Sequence, residues 1–413
     1  LSATSTAEDA RSDPTRSPGS EQGRPSIAER LSGWATAHPR PARFAMLAAP
    51  AVVYLALRQL GLIVLGWAAD RHGVSPIDAR TAWDGQWYLS IATRGYSDVS
   101  PELYDAFGRR TEDTSTAFFP GYPALIRLLD AMPGSQPVPT ALLVSLLSGV
   151  ACAYALMRLA ASVSDSRRVG LILIALFTCT PLSIALSMAY SEALFCALAA
   201  WALVGVVERR WLLAGLCCAA TGLVRPTAAA LILAVGLAAL VAVLHRRDGW
   251  RPWAAGLLAP LGMLGYLGWV ALRTGSPTGW FDVQQEGWDS RFDGGAATLR
   301  FTTEVLASGR SVLEIGTIAL LIAGIVSTVV AVRMRLPWPL VVYGAGVLVM
   351  DIGSNGLMNS KARLLLPAFT LLIPVAIGLG RRRPGTALTV VAAAALAGSW
   401  FGAYALVAWP YAI

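Results

Sequence analysis

The apolar residues of this chain fall in blocks of about 18–24, each long enough to cross the ~30 Å hydrocarbon layer of a bilayer as a helix. Backbone N–H and C=O groups find no water in lipid, so each block must satisfy them internally. Of the 413 residues, 55% are hydrophobic and 14% are charged, whereas soluble domains carry roughly a quarter charged residues. These figures exclude a secreted disulfide scaffold, a disordered tail protein and an ordinary cytosolic enzyme. The reading is an all-α polytopic membrane protein.

Eleven spans are expected, over 44–68, 140–161, 169–188, 190–207, 211–224, 227–244, 253–272, 311–332, 337–356, 363–380 and 386–409. The fifth and sixth form one run broken at Arg225-Pro226, where proline removes a hydrogen bond and arginine is costly in lipid. Residues 1–42 are too polar to bury a core and are expected to be a disordered cytoplasmic tail; 43–413 form the membrane domain. With the N-terminus in the cytoplasm, every alternate loop is basic: Arg158 with Arg167-Arg168, Arg209-Arg210, Arg246-Arg247 with Arg251, Arg333 with Arg335, and Arg381-Arg382-Arg383. That is the positive-inside pattern. It leaves two long outer loops, about 69–139 and 273–310, and an external C-terminus.

The net charge of +8 sits in those loop clusters, and Lys361 is the one lysine of the chain. Charge so distributed marks topology and not a nucleic-acid surface. Cys152, Cys179, Cys196, Cys217 and Cys218 all lie in apolar blocks and read as small hydrophobes. His38, His72 and His245 share no ligand spacing. No protein-built metal site and no cofactor is expected, although a divalent ion on a substrate phosphate is compatible with these residues.

Four features break the rules of a lipid-facing chain. The first outer loop holds Trp83-Asp84-Gly85-Gln86-Trp87-Tyr88 and Phe118-Phe119-Pro120. Aromatic rings favour an interface and suggest a juxtamembrane helix anchored by Trp83, Trp87, Tyr88, Phe118 and Phe119. An aspartate among them is a candidate general base. Glu102, Asp105, Glu112 and Asp113 are expected to be solvated. Tyr190-Ser191-Glu192 puts an acid in a helix's first turn, either as a serine-capped, dipole-favoured group or facing an outer cavity. Arg225, Lys361 and Arg363 are cations at outer connections, placed to hold a phosphate or to pair with Asp351, Glu192 or lipid headgroups. The second outer loop carries Trp280-Phe281, Gln284-Gln285, Trp288-Asp289 and Arg291, which suits either a sugar platform or a second interfacial helix.

All four features are predicted on one face. A base, a phosphate clamp and an aromatic platform together suggest glycosyl transfer from a lipid-linked phosphosugar. The cations would stabilise the leaving phosphate, and Asp84 would deprotonate the acceptor hydroxyl. One base and one leaving group in line give inversion. The candidate sugar- and acceptor-binding residues are Trp83, Trp87, Tyr88, Phe119, Tyr190, Glu192, Gln285 and Trp288.

Trp83-Asp84, Phe118-Phe119-Pro120 with Pro123, Tyr190 through Phe195, Arg225-Pro226-Thr227, and Lys361-Ala362-Arg363 through Pro367 occur in an order that resembles the PIG-V family. These are multispan mannosyltransferases of the GT-C class, related to GPI mannosyltransferase II. The resemblance runs from about 44 to 410. It implies a GT-C bundle, a polyprenyl- or dolichyl-phosphate-mannose donor, an inverting mechanism, and a first-loop aspartate base at Asp84. The alanine- and arginine-rich composition points to a high-GC bacterium and a plasma-membrane location. No GPI anchor is expected there, so the acceptor becomes a lipid-linked or cell-envelope glycan. Alternatives are transfer of another polyprenyl-phosphate sugar such as arabinofuranose or glucose, a transporter or flippase, and a non-catalytic scaffold.

Overall fold

Proline and glycine placement decides where the apolar runs stay helical. The structure, a computed structural model, describes residues 39–309, 312–356, 358–409 and 411–412. Apart from its last four residues, the tail expected over 1–42 lies outside them. Helix α1 spans Pro39–His72, four residues earlier than the boundary expected at 43. Two short first-loop helices follow, α2 (Pro76–Thr81) and α3 (Asp84–Arg94), then α4 (Gly121–Asp130). The bundle continues with α5 (Pro137–Ala161), α6 (Arg167–Thr178), α7 (Glu192–Val207), α8 (Trp211–Gly222) and α9 (Ala228–Leu244). Next come α10 (Arg251–Leu258) and α11 (Leu261–Thr274), then the second-loop helices α12 (Gly279–Trp288) and α13 (Ala296–Ser308). The chain closes with α14 (Val312–Arg333), α15 (Trp338–Gly353), α16 (Lys361–Leu364), α17 (Ile373–Gly380) and α18 (Pro384–Val407). The described residues contain no strand, only a single bridge between Phe292 and Ser354.

The protein is an all-α, multi-pass membrane protein. Five helical stretches are individually long and apolar enough to cross a bilayer, and a sixth is a pair bent by 54° around Leu364–Leu366. Four of the other expected spans are shorter: α7, α8, α9 and α15 have 12–17 residues, or at most about 26 Å at 1.5 Å per residue. The block expected at 169–188 departs further, because only Arg167–Thr178 is α-helical. Pro181 disfavours helical backbone at Thr180, and Leu182 turns left-handed at φ 59° before a tight turn over Ser183–Ser187. Arg58 of α1 meets the exposed polar groups: Nη1 donates to Thr178 O at 3.2 Å and to Ser183 Oγ at 3.1 Å, and Nε donates to Ser187 Oγ at 2.8 Å.

Alanine-rich α7 is the centre of the core and packs along α5 and α8, while α9 lies against α15. Small side chains let helix backbones approach closely where lipid supplies no hydrophobic drive for association. At one end of the bundle three of the basic loops meet: Arg158 forks onto Glu208 at 2.8 Å, Arg210 reaches Glu208 at 3.1 Å, and Arg209 reaches Asp248 at 2.7 Å. All five cysteines are free, and four are buried.

The break between α8 and α9 falls at Leu223–Thr227, as Pro226 requires, and the start of α4 is bonded to it. Gly121 N donates to Leu223 O at 2.6 Å, and a Cβ on Gly121 would lie 2.8 Å from that oxygen and 2.9 Å from Val224 Cγ2. Only a residue without a side chain permits this approach. Gly121→Ala is therefore expected to cost about 1–3 kcal/mol, the usual range for overpacking. It should lower the melting temperature of the detergent-solubilised protein by several degrees; an unchanged midpoint would show that the two segments are not tightly docked.

Candidate active site

Asp84 opens α3 directly after Trp83, whose backbone is held at φ 51°, ψ −117°. Such a conformation costs a non-glycine residue about 1–3 kcal/mol and persists only where its surroundings enforce it. The bend sets the carboxylate at the helix N-terminus, the end whose dipole favours an anion. Arg363 Nη1 donates to Asp84 Oδ2 at 2.6 Å. The same guanidinium lies 3.5 Å from Glu192 Oε1 through Nε and 5.1 Å above the Tyr190 ring.

Glu192 is fully buried in the first turn of α7, and its Oε1 is 2.6 Å from Arg225 Nη1. Ser191 sits at the N-cap position without capping the helix. Its hydroxyl instead bonds the Tyr88 hydroxyl at 2.9 Å and accepts from Arg225 Nη1 at 3.1 Å. Burial pushes the Tyr88 phenol up to about 12, so it stays protonated near neutral pH and can serve as donor or acceptor. Asp84, Arg363, Glu192 and Arg225 thus form one alternating chain of charge, drawn from four distant segments.

Lys361, 2% exposed, donates to the backbone carbonyls of Asp351 and, at 2.7 Å, of Ser354. It caps the end of α15 and does not bond the Asp351 carboxylate; an ammonium has three protons, so one remains for a ligand. The Asp351 carboxylate is buried and makes no hydrogen bond.

These groups share a cavity of ≈ 480 Å³, a size typical of small-ligand sites. Asp84, Tyr88, Arg225, Lys361, Arg363 and Asp351 line it, and Phe118, Phe119, Trp280, Phe281 and Trp288 form an aromatic wall. That wall is fixed by ring packing: Phe119 lies 4.5 Å from Tyr266 and 5.6 Å from Trp280, and Phe118 lies 5.6 Å from Trp288. Tyr266 donates to Thr116 O and Phe118 O at 2.8 Å, and Gln284 donates to Ala117 O at 3.0 Å. The second loop is thereby bonded to the first.

The structure separates the expected sugar-binding residues. Tyr88, Phe119 and Trp288 line the cavity, whereas Trp83, Trp87, Tyr190, Glu192 and Gln285 do not. Trp87 is 5% exposed and stacks behind Phe118 at 5.2 Å. Of the five aromatics expected to anchor a first-loop helix, Trp87, Tyr88, Phe118 and Phe119 are buried in protein and Trp83 is half-buried, so four of the rings pack inward while the helix itself is present as α3. Gln285 is exposed and its neighbour Gln284 faces the cavity, because a helix turns successive side chains by about 100°. Asp113, expected to be solvated, pairs with Arg273 at 3.0 Å. Asp351 was legible only as an acid needing a partner, and Phe292 and Ser354 carried no signal at all. Among the described residues no three His, Cys, Asp or Glu side chains gather as a metal site.

No protein-family model and no curated protein matches the sequence. Similarity appears among solved structures. ArnT from Cupriavidus metallidurans, solved bound to undecaprenyl phosphate, aligns over 84% of this chain and 63% of its own, at 18% identity and a TM-score of 0.51. The archaeal oligosaccharyltransferase AglB from Archaeoglobus fulgidus, solved with an inhibitory peptide and a dolichol-phosphate, aligns over 86% of this chain and 56% of its own, at 13% identity and a TM-score of 0.44. This chain thus spans less than two thirds of the length of either. On the ArnT alignment, the chain has the fold of the GT-C glycosyltransferases.

Proposed function

We propose that this protein is an inverting glycosyltransferase of the PIG-V type. It moves mannose from a polyprenyl-phosphate-mannose donor to a lipid-linked or cell-envelope glycan on the extracytoplasmic face of a bacterial plasma membrane. The observation that carries the reading is the single cavity in which one accessible carboxylate, Asp84, meets three cations under an aromatic wall. Asp84 is the most exposed member of the charged chain, with 26% of its side chain accessible, against 8% for Arg363 and 0% for Glu192. A group that takes a proton from substrate must be reachable; groups that orient it need not be.

In this mechanism the donor phosphate lies among Lys361, Arg363 and Arg225. Asp84 accepts the proton of the acceptor hydroxyl as its oxygen bonds the anomeric carbon. The bond from that carbon to the phosphate oxygen breaks on the opposite face, and the electron pair leaves with the phosphate. The cations stabilise the charge that grows there. Glu192 orients Arg225 and Arg363, and the Phe119 and Trp288 rings offer apolar faces to the sugar. The Asp351 carboxylate sits in the wall of the same cavity with both oxygens buried and unpartnered. The wall chemistry suits any hexose or pentose phosphodiester, so the arabinofuranose and glucose donors belong in the same assay.

Purified protein with labelled polyprenyl-phosphate sugars and a panel of lipid acceptors tests the roles. Asp84→Asn should lower kcat by about 10²–10⁴-fold, the span of a lost general base, while donor binding persists. Retained turnover would remove Asp84 from the chemistry. Lys361→Ala should raise the donor KM by about tenfold or more, as expected for a lost charge-assisted hydrogen bond. An unchanged donor dependence would place the phosphate elsewhere. The orientation has its own measurement: Gln86→Cys, at the exposed position two residues after Asp84, should react with an impermeant thiol reagent added outside sealed cells, and reaction only after permeabilisation would reverse the topology.

A further inference from the structure

A second cavity, of ≈ 640 Å³, shares no lining residue with the first. It is a groove between α1 and α5, walled by Leu55 and Leu62 on one side and Leu142, Leu143 and Leu146 on the other. Leu55, Leu143 and Leu146 are 39–45% exposed, so the groove opens sideways from two of the helices long enough to span a bilayer. Its polar lining is Arg58, Gln59, Arg80 and Ser187, with no acidic residue. Among the described residues neither arginine has a carboxylate within ion-pair distance.

Arg58 is 3% exposed and spends Nε and Nη1 on the 178–187 segment; its buried Nη2 has no partner. Arg80 is half-buried, lines the groove and donates from Nε to Ser187 O at 2.8 Å, so its two Nη groups make no bond among the described residues. Gln59 is an exposed amide one residue along α1 from Arg58. Two cations and an amide on a lipid-facing leucine groove are costly unless an anion joins them. A guanidinium fork matches phosphate oxygens, and a phosphate monoester carries about −1.5 to −2 at neutral pH, enough to balance both arginines; a phosphodiester carries half that.

We propose that this groove binds a membrane lipid ending in a phosphate monoester. The phosphate sits on Arg80 in the field of Arg58, Gln59 donates a further bond, and the hydrocarbon chain runs along the leucine walls. The assignment stands apart from the catalytic reading, since no residue is common to both sites.

Native mass spectrometry of the purified full chain tests it. The probes are phosphatidic acid and polyprenyl phosphate as monoesters, phosphatidylglycerol as the diester control, and inorganic phosphate. The wild type should retain a monoester lipid about tenfold better than phosphatidylglycerol, and Arg80→Gln should lose about tenfold, the scale of one charge-assisted contact. Leu146→Trp fills the groove from its lipid-exposed wall, leaves both arginines in place, and should displace the lipid as well. Lys361→Ala should leave one monoester lipid bound. If retention instead follows Lys361→Ala and ignores Arg80→Gln and Leu146→Trp, the lipid occupies the catalytic cavity and the proposal falls. Equal retention of phosphatidylglycerol, or displacement by millimolar inorganic phosphate, overturns it too, because the first denies the monoester and the second denies the chain.

Discussion

The alternation of charge from Asp84 through Arg363 and Glu192 to Arg225 holds the molecule's interior to one arrangement. Glu192 is fully buried and lies 2.6 Å from Arg225 Nη1 and 3.5 Å from Arg363 Nε. Removing either partner of a buried ion pair costs about 3–5 kcal/mol, because the survivor keeps its desolvation penalty without compensation. The chain of ions therefore fixes where α3 begins, where α7 begins, and how the two broken helical runs sit against them. Tyr190 below Arg363 and Ser191 beside Arg225 complete the enclosure on its protein side.

Helix breaks supply the remaining geometry. The helical runs are interrupted between α6 and α7, between α8 and α9 and between α15 and α16, and each interruption delivers polar groups to one place: Ser191 and Glu192, Arg225, then Lys361 and Arg363. Unwound backbone inside a membrane body is tolerated where protein buries it or where it faces a polar cavity. Arg58 bonds the first interruption, Gly121 bonds the second, and Lys361 itself bonds the carbonyls of Asp351 and Ser354 at the third. The side chains that line the site are thus backed by the same bonds that make each break tolerable.

Much of this was written in the sequence, for a simple reason: lipid punishes charge. An aspartate among aromatics, an acid beside a short connection, and cations on the sparsely basic side each stood out against an apolar background, and the structure brings Asp84, Arg225, Lys361 and Arg363 to one cavity. The break at Arg225-Pro226 was legible from proline chemistry. What stayed hidden depends on packing. The facing of Gln284 over Gln285 is a matter of helix phase in a ten-residue segment, and Trp87 behind Phe118 is a matter of which ring stacks outermost. The loss of helix after Thr178 was masked because Cys179–Met188 remains apolar in composition while Leu182 reverses its backbone.

The order of the charged groups along the chain has a consequence for biogenesis. Arg363 follows Asp84 by 279 residues, so its guanidinium can join the site only after most of the chain has been made. Until then Asp84 lacks the cation it pairs with in the finished fold and Glu192 has Arg225 alone, and an unpaired ion keeps its preference for water. Closure of the charged chain therefore waits for the last helices of the sequence.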